Sequence, residues 1–272
     1  MRRYSIFHPL VLSFFSKSLY RDVGKNWRGT GLLYLAIVLA LVWIPTMIKG
    51  HLEMSRWVDS DSKEITKQIP AITISNGQVS TDVTTPHFIK DPKTGADIAI
   101  IDTTGEYETL DNTDAKFLLT KSKVIVSKSG NRSETYDLSG VQSFYVDRSH
   151  VEGWLMSARQ WLFPVLYPLA LIFSFIFRAV QVLIYALVGM LFAKMLNANL
   201  DYKTLMRLAA ISITPVILLN LLLEFVPINI PWWSLIGIVI ALAYLFLAVK
   251  VNAEPEDVPQ YQPPTVYPTV MP

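Results

Sequence analysis

The sequence predicts a membrane protein, an α-helical transmembrane bundle of four spans with an inserted, mostly β, antiparallel-sheet extracytoplasmic domain. Three observations carry this prediction. Long apolar runs lie on either side of a polar interval of roughly 100 residues. That interval changes to a period of two, the signature of half-buried strands. The charges are also unevenly distributed along the chain. Of 272 residues, 51% are apolar and only 17% are charged, against about 25% in soluble domains.

Residues 1–29 are basic and aromatic. In HPLVLSFFSKSLYRDV, Leu10, Phe14 and Leu19 fall near one apolar face, with Lys17 and Arg21 towards the other. This pattern predicts a helix lying on the inner membrane surface, where anionic lipids attract Arg2, Arg3, Lys17, Arg21, Lys25 and Arg28. The first span, 30–48, carries GLLYLAIVLALVWIPTMI without a charge. At about 1.5 Å per residue it nearly crosses a hydrocarbon layer of about 30 Å. Trp27 with Arg28, and Trp43 with Lys49, stand near its ends as interfacial anchors. The run starts far from Met1 and continues into IKGHLEM rather than a small-residue cleavage site, which predicts a retained helix.

Residues 49–152 are assigned to a stalk and a β-rich domain. The stretch up to Pro70 is helix-compatible. Beyond it AITIS, QVSTDV, HFIK, ADIAIID, KFLLTK and KVIVSK predict about six short strands. Asn76-Gly77, the SKSGNRS run and Asp91-Pro92-Lys93-Thr94-Gly95 are turn signals. Ser149 with Glu152 reads as a capping box that opens the next helix.

Residues 153–251 form the rest of the bundle, with spans at 161–195, 208–226 and 232–249. The first of these is interrupted by Arg178, but FIFRAVQV holds no turn-forming residue, so one long helix bent at Pro164 and Pro168 is expected. The alternative is a five-span threading that splits this run and sends the tail outside. Residues 252–272 are proline-rich and read as a disordered cytoplasmic tail.

Charge sets the expected orientation. The first thirty residues hold six Lys and Arg against the single acid Asp22, and Lys194, Lys203, Arg207 and Lys250 fall on the same side. Lys49 to Glu152 holds twelve Lys and Arg against sixteen Asp and Glu, a net charge of −4. The positive-inside rule puts both termini in the cytoplasm and the large loop outside.

Several stretches together resemble one family. IPAITISNGQVSTDVTTPHFI, DIAIIDTTGEYETL, KFLLTKSKVIVSK and ETYDLS look like the loop of a bacterial membrane-protein family called domain of unknown function 1189. The basic aromatic start and the RLAAISITPVILLNLLLEF span fit it as well, so the resemblance covers nearly the whole chain except the tail. It implies a multi-pass protein of the bacterial cytoplasmic membrane with one external domain. It brings no activity and no catalytic residues.

The residues themselves point away from catalysis. With no cysteine, thiolate chemistry and disulfides are excluded. A net charge of +2 argues against a nucleic-acid partner. Ile100-Ile101-Asp102-Thr103-Thr104-Gly105 vaguely resembles an aspartic-protease turn, but its glycine is one residue late and no second copy exists. It fits better as a strand ending in a turn. His8, His51, His87 and His150 lack metal-ligand spacing, so neither metal nor cofactor is expected.

The candidate site is an intramembrane polar cluster. Arg178 and Gln181 are i, i+3 on one span, and Asn220 and Glu224 are i, i+4 on the next. Ionisable groups inside a bilayer are costly and suggest function. An Arg178–Glu224 pair flanked by Gln181 and Asn220 is expected, as a helix clamp or as the lining of a polar cavity. The expected function is non-enzymatic: an external domain that binds or senses a membrane or envelope partner, accessory to a transport complex. The alternative is an oligomeric transporter or lipid-handling protein that uses the cluster. The expected partners are the lipid bilayer, a membrane or envelope protein and further copies of the chain.

Overall fold

A computed structural model describes residues 2–254 except 112 and 129–131. The proline-rich tail beyond 254 and the centre of the SKSGNRS turn thus lie outside the described residues. Two helices open the chain, α1 (Pro9–Leu12) and α2 (Lys17–Asn26). The Ser16 side chain starts α2 by accepting from the Leu19 amide at 3.2 Å, as an N-cap serine does. Next come α3 (Leu32–Asp59) and α4 (Asp61–Thr66), then eight strands: β1 (Ile72–Ser75), β2 (Gln78–Thr81), β3 (His87–Lys90), β4 (Asp97–Ile101), β5 (Phe117–Leu119), β6 (Lys123–Lys128), β7 (Arg132–Asp137) and β8 (Ser143–Val146). Helices α5 (Arg148–Met195), α6 (Tyr202–Ser212), α7 (Thr214–Glu224) and α8 (Trp233–Ala253) complete it. Among the described residues, four helical stretches are long and apolar enough to span a membrane: Leu32–Thr66, Arg148–Met195, Tyr202–Glu224 and Trp233–Ala253. The α5 helix runs unbroken through Arg178, because nothing there competes with helix.

The chain divides into two units, one formed by the segment up to Thr46 together with that from Leu169, the other by Met47–Pro168. In the first unit, α2 packs against α6 and α8. Leu19, Tyr20 and Val23 are buried there. The expected single helix is thus two, and the Leu19 face of α2 is covered by protein. Gly24 permits this approach, since a Cβ built there would lie 2.1 Å from the Asn252 side chain. Asn252 itself donates to the Tyr20 carbonyl at 3.0 Å. The span Tyr202–Glu224 is interrupted at Ile213, between α6 and α7. Pro215 has no amide to donate to the preceding turn. The buried Thr214 hydroxyl reaches back to the Ala210 carbonyl at 3.3 Å and meets the Tyr34 hydroxyl of α3 at 2.7 Å.

The second unit holds two sheets, of order β2-β1-β8 and β3-β4-β5-β6-β7. This revises the expected single sheet of about six strands. The pairings are antiparallel except β4 with β5, which is parallel. The long connection after β4 allows this, since parallel neighbours need a crossover of a dozen or more residues. Its residues Tyr107, Leu110 and Ala115 cover one face of the larger sheet over Ile100, Leu118 and Ile125. Asn76 (φ 48°) and Gly77 (φ 77°) form the β1–β2 hairpin, as a type I′ turn requires. Between β3 and β4, the Asp91 carboxylate accepts from the Lys93 amide at 2.7 Å and the Thr94 amide at 3.2 Å. The cap of α5 also differs from expectation. Asp147, not Ser149, accepts the His150 amide at 3.0 Å, while Glu152 pairs with Arg148 at 2.7 Å. Asp147 stands one residue before the helix, at the N-cap, whereas Ser149 lies inside its first turn.

Candidate polar site in the helical unit

Helix α5 places Arg178 and Gln181 on one face. The Arg178 guanidinium donates to Gln181 Oε1 at 2.6 Å, and Gln181 Nε2 donates to the Tyr185 hydroxyl at 2.9 Å. The chain of donors thus runs along i, i+3 and i+7 of a single helix. Across from it, Asn220 of α7 accepts from the Trp233 indole of α8. Arg178, Gln181, Asn220, Trp233 and Ser234 line a cavity of about 210 Å³. Gly237 also lines it, which keeps α8 close to Val216 of α7. Glu224 is not in this wall. It lies one turn beyond Asn220, is exposed, and accepts from the Thr46 hydroxyl of α3 at 2.8 Å. The expected Arg178–Glu224 pair is therefore replaced by Arg178–Gln181. The guanidinium finds its acceptor within its own helix, while the end of α7 faces α3. The cavity presents donors suited to an anionic or carbonyl group, with no nucleophile beside a base.

The expected membrane-surface cations divide in role. The Arg2 guanidinium lies 3.8 Å from the Trp27 ring centroid and Arg3 stacks near Tyr4. Arg21 donates to the Val251 carbonyl at 3.3 Å. Lys17, Lys25 and Arg28 are exposed. Sequence reasoning missed the acid among them. Asp22 is buried and accepts from the Arg3 amide (3.0 Å), the Tyr4 amide (3.2 Å), Asn26 (2.8 Å) and the Trp27 indole (3.0 Å). Burial pushes its pKa up, but these donors outweigh burial and hold the carboxyl below its ordinary value. It was legible as the one acid in a basic run. Arg207, counted as a topology signal, is also buried, donating to the Gly29 carbonyl (2.9 Å), Thr204 (2.7 Å) and the Gly24 carbonyl (3.3 Å).

In the second unit, Asp102 is fully buried at the end of β4. Its carboxylate accepts from the Thr104 hydroxyl (2.6 Å), the Thr104 amide (2.8 Å) and the Tyr107 amide (2.7 Å). Burial raises its pKa, yet these bonds hold it below the usual value. Both carboxylate oxygens are engaged by the turn, which is a structural use. His87 meets the Gln68 carbonyl at 2.7 Å, His150 meets Asp147 at 2.8 Å, His51 stacks on Phe163, and His8 meets Ser5. Among the described residues, no group of three metal-ligating side chains converges. On the larger sheet, Phe117, Val126 and Tyr136 share one face by register with Leu119, Val124 and Glu134, and the Tyr136 hydroxyl donates to Glu134 at 2.7 Å. The two aromatics are about half exposed, at 48% and 53%.

The sequence pattern of the family described as protein of unknown function (DUF1189) matches residues 7–249, and the chain belongs to that family. No curated protein and no solved structure matches it.

Proposed function

We propose that this chain is a non-enzymatic multi-pass protein of the bacterial cytoplasmic membrane, with both termini cytoplasmic, whose external domain docks a membrane or envelope protein as an accessory to a transport complex. The observation that supports this reading is the two half-exposed aromatics, Phe117 and Tyr136, on one face of the larger sheet. Exposed aromatics grouped on a sheet favour a protein interface. The asymmetric charge favours the orientation. The alternative, a transport or lipid-handling role in an oligomer, is favoured by the Arg178-lined cavity.

A photo-crosslinking residue at Phe117 in intact membranes tests the docking reading. A discrete adduct that disappears on Tyr136→Asp is expected. Unchanged function after deletion of 70–147 would sink it. Loss of function in Arg178→Ala at normal protein level would favour the cavity instead. A reporter fused after Pro272 should signal from the cytoplasm, and an external signal would reject the four-span orientation.

A further inference from the structure

A second cavity, of about 420 Å³, lies in the other unit between α4, the outer end of α3 and the first turns of α5. That volume falls within the range of small-ligand pockets, about 300–1,000 Å³. Its apolar part is made by Val58, Leu155 and Met156, and four cations with three carboxylates complete the wall. Two of the cations are tied to carboxylates across or along it, Arg159 to Asp59 at 3.0 Å and Arg148 to Glu152 at 2.7 Å. Lys67 pairs with Glu64 at 2.6 Å. The fourth, Lys63, makes no ion pair within 4.0 Å among the described residues, and its charge acts on Glu152 from a longer distance. The same helices carry Trp57, Trp154 and Trp161, all exposed. Exposed tryptophans mark the level of lipid headgroups. The cavity thus combines an apolar foot and alternating charges on helices that continue into membrane-length apolar stretches.

We infer that this cavity holds the headgroup of a zwitterionic glycerophospholipid with a primary ammonium. The phosphate lies by Lys63 and Arg159, the ammonium by Glu64 and Glu152, and the acyl chains leave past Leu155 and Met156. A purely anionic headgroup meets the three carboxylates at a cost, and a zwitterionic one satisfies both signs. The inference rests on the membrane reading above, but not on the orientation or on the sheet's partner.

The test is native mass spectrometry of the full chain released from detergent micelles, after addition of phosphatidylethanolamine, phosphatidylglycerol or inorganic phosphate. One phosphatidylethanolamine per chain should be retained, with phosphatidylglycerol retained about tenfold less well, and millimolar phosphate should not displace either. Lys63→Glu should lower retention about tenfold, while Lys116→Glu on the sheet should not. Leu155→Trp, which fills the cavity without changing charge, should also lower it, and an unchanged thermal transition confirms that each variant folds. Equal retention of the two lipids, displacement by phosphate, or full retention by both Lys63→Glu and Leu155→Trp overturns the assignment. Failure of the membrane reading itself would show separately, as a chain that stays in the soluble fraction of cells.

Discussion

Helix α5 and the α6–α7 pair are almost equally apolar, yet they occupy opposite environments. Only 17% of the apolar window of α5 is buried in protein, against 72% for Tyr202–Glu224. The difference lies in the neighbours and not in hydropathy, since α6 packs against both α2 and α8. The α6–α7 stretch buries Leu205, Leu208, Ile211, Ile213 and Ile217 among the small residues Ala209, Ala210, Ser212 and Thr214, which let neighbouring helices approach. Helix α5 instead exposes Phe173, Phe177, Ile184, Leu187 and Leu191, and buries a narrow stripe of Val182, Tyr185, Ala186, Gly189 and Ala193. In a bilayer, large apolar side chains are as well placed outside as inside, so hydropathy marks a span but not its face.

The sharpest way to break this contrast is at Arg207. Replacing it with Ala leaves the carbonyls of Gly24 and Gly29 without their donor, and should cost about 2–4 kcal/mol, read as a lower thermal transition in detergent. Next, Asp102→Ala should cost about 2–3 kcal/mol in the sheet unit, by stripping partners from the Thr104 and Tyr107 amides. The same site predicts a pH effect. Because its folded pKa is depressed, Asp102 stabilises the fold above the ordinary carboxylate pKa, and that contribution is lost as pH falls through the lower folded value. Proteolysis of the sheet unit should therefore accelerate in acid, and Asp102→Asn should flatten that dependence.

Ala210→Leu overfills a fully buried position beside Gly31 and should cost about 1–3 kcal/mol. Tyr34→Phe removes only the hydroxyl contact with Thr214, and about 0.5–1.5 kcal/mol is expected. Leu187→Ala on the open face of α5 should fall within about 0.5 kcal/mol. A loss at Leu187 as large as that at Ala210 would mean that α5 is covered by another copy or a partner, and the contrast would fail.

Much of the architecture was legible in advance, for reasons that can be named. Asn76-Gly77 specifies its turn because few other pairs accept two positive φ angles. FIFRAVQV specifies a continuous helix because nothing in it breaks one. Other features were not legible. The two-sheet arrangement and the parallel β4–β5 pair depend on how the long connection after β4 crosses, and a period of two does not record which strand lies beside which. The cap of α5 shifted from Ser149 to Asp147 because two acceptors stood close together in sequence and backbone geometry chose between them. The candidate site was only partly legible. Helical spacing put Arg178 with Gln181 and Asn220 with Glu224, but the rotation of α7 against α3 and α8 decided that Asn220 faces the cavity and Glu224 does not.

The sequence by itself determined four membrane-length apolar helices, a strand-rich insert and its main turns, because length, hydropathy and local turn chemistry are properties of short segments. The tertiary structure alone decided which charged residues are structural. Asp22 gathers the start of the chain around itself, and Arg207 holds the glycine carbonyls before α3. A charge in a list has no partner, and only the fold brings together the donors and acceptors that make its burial tolerable.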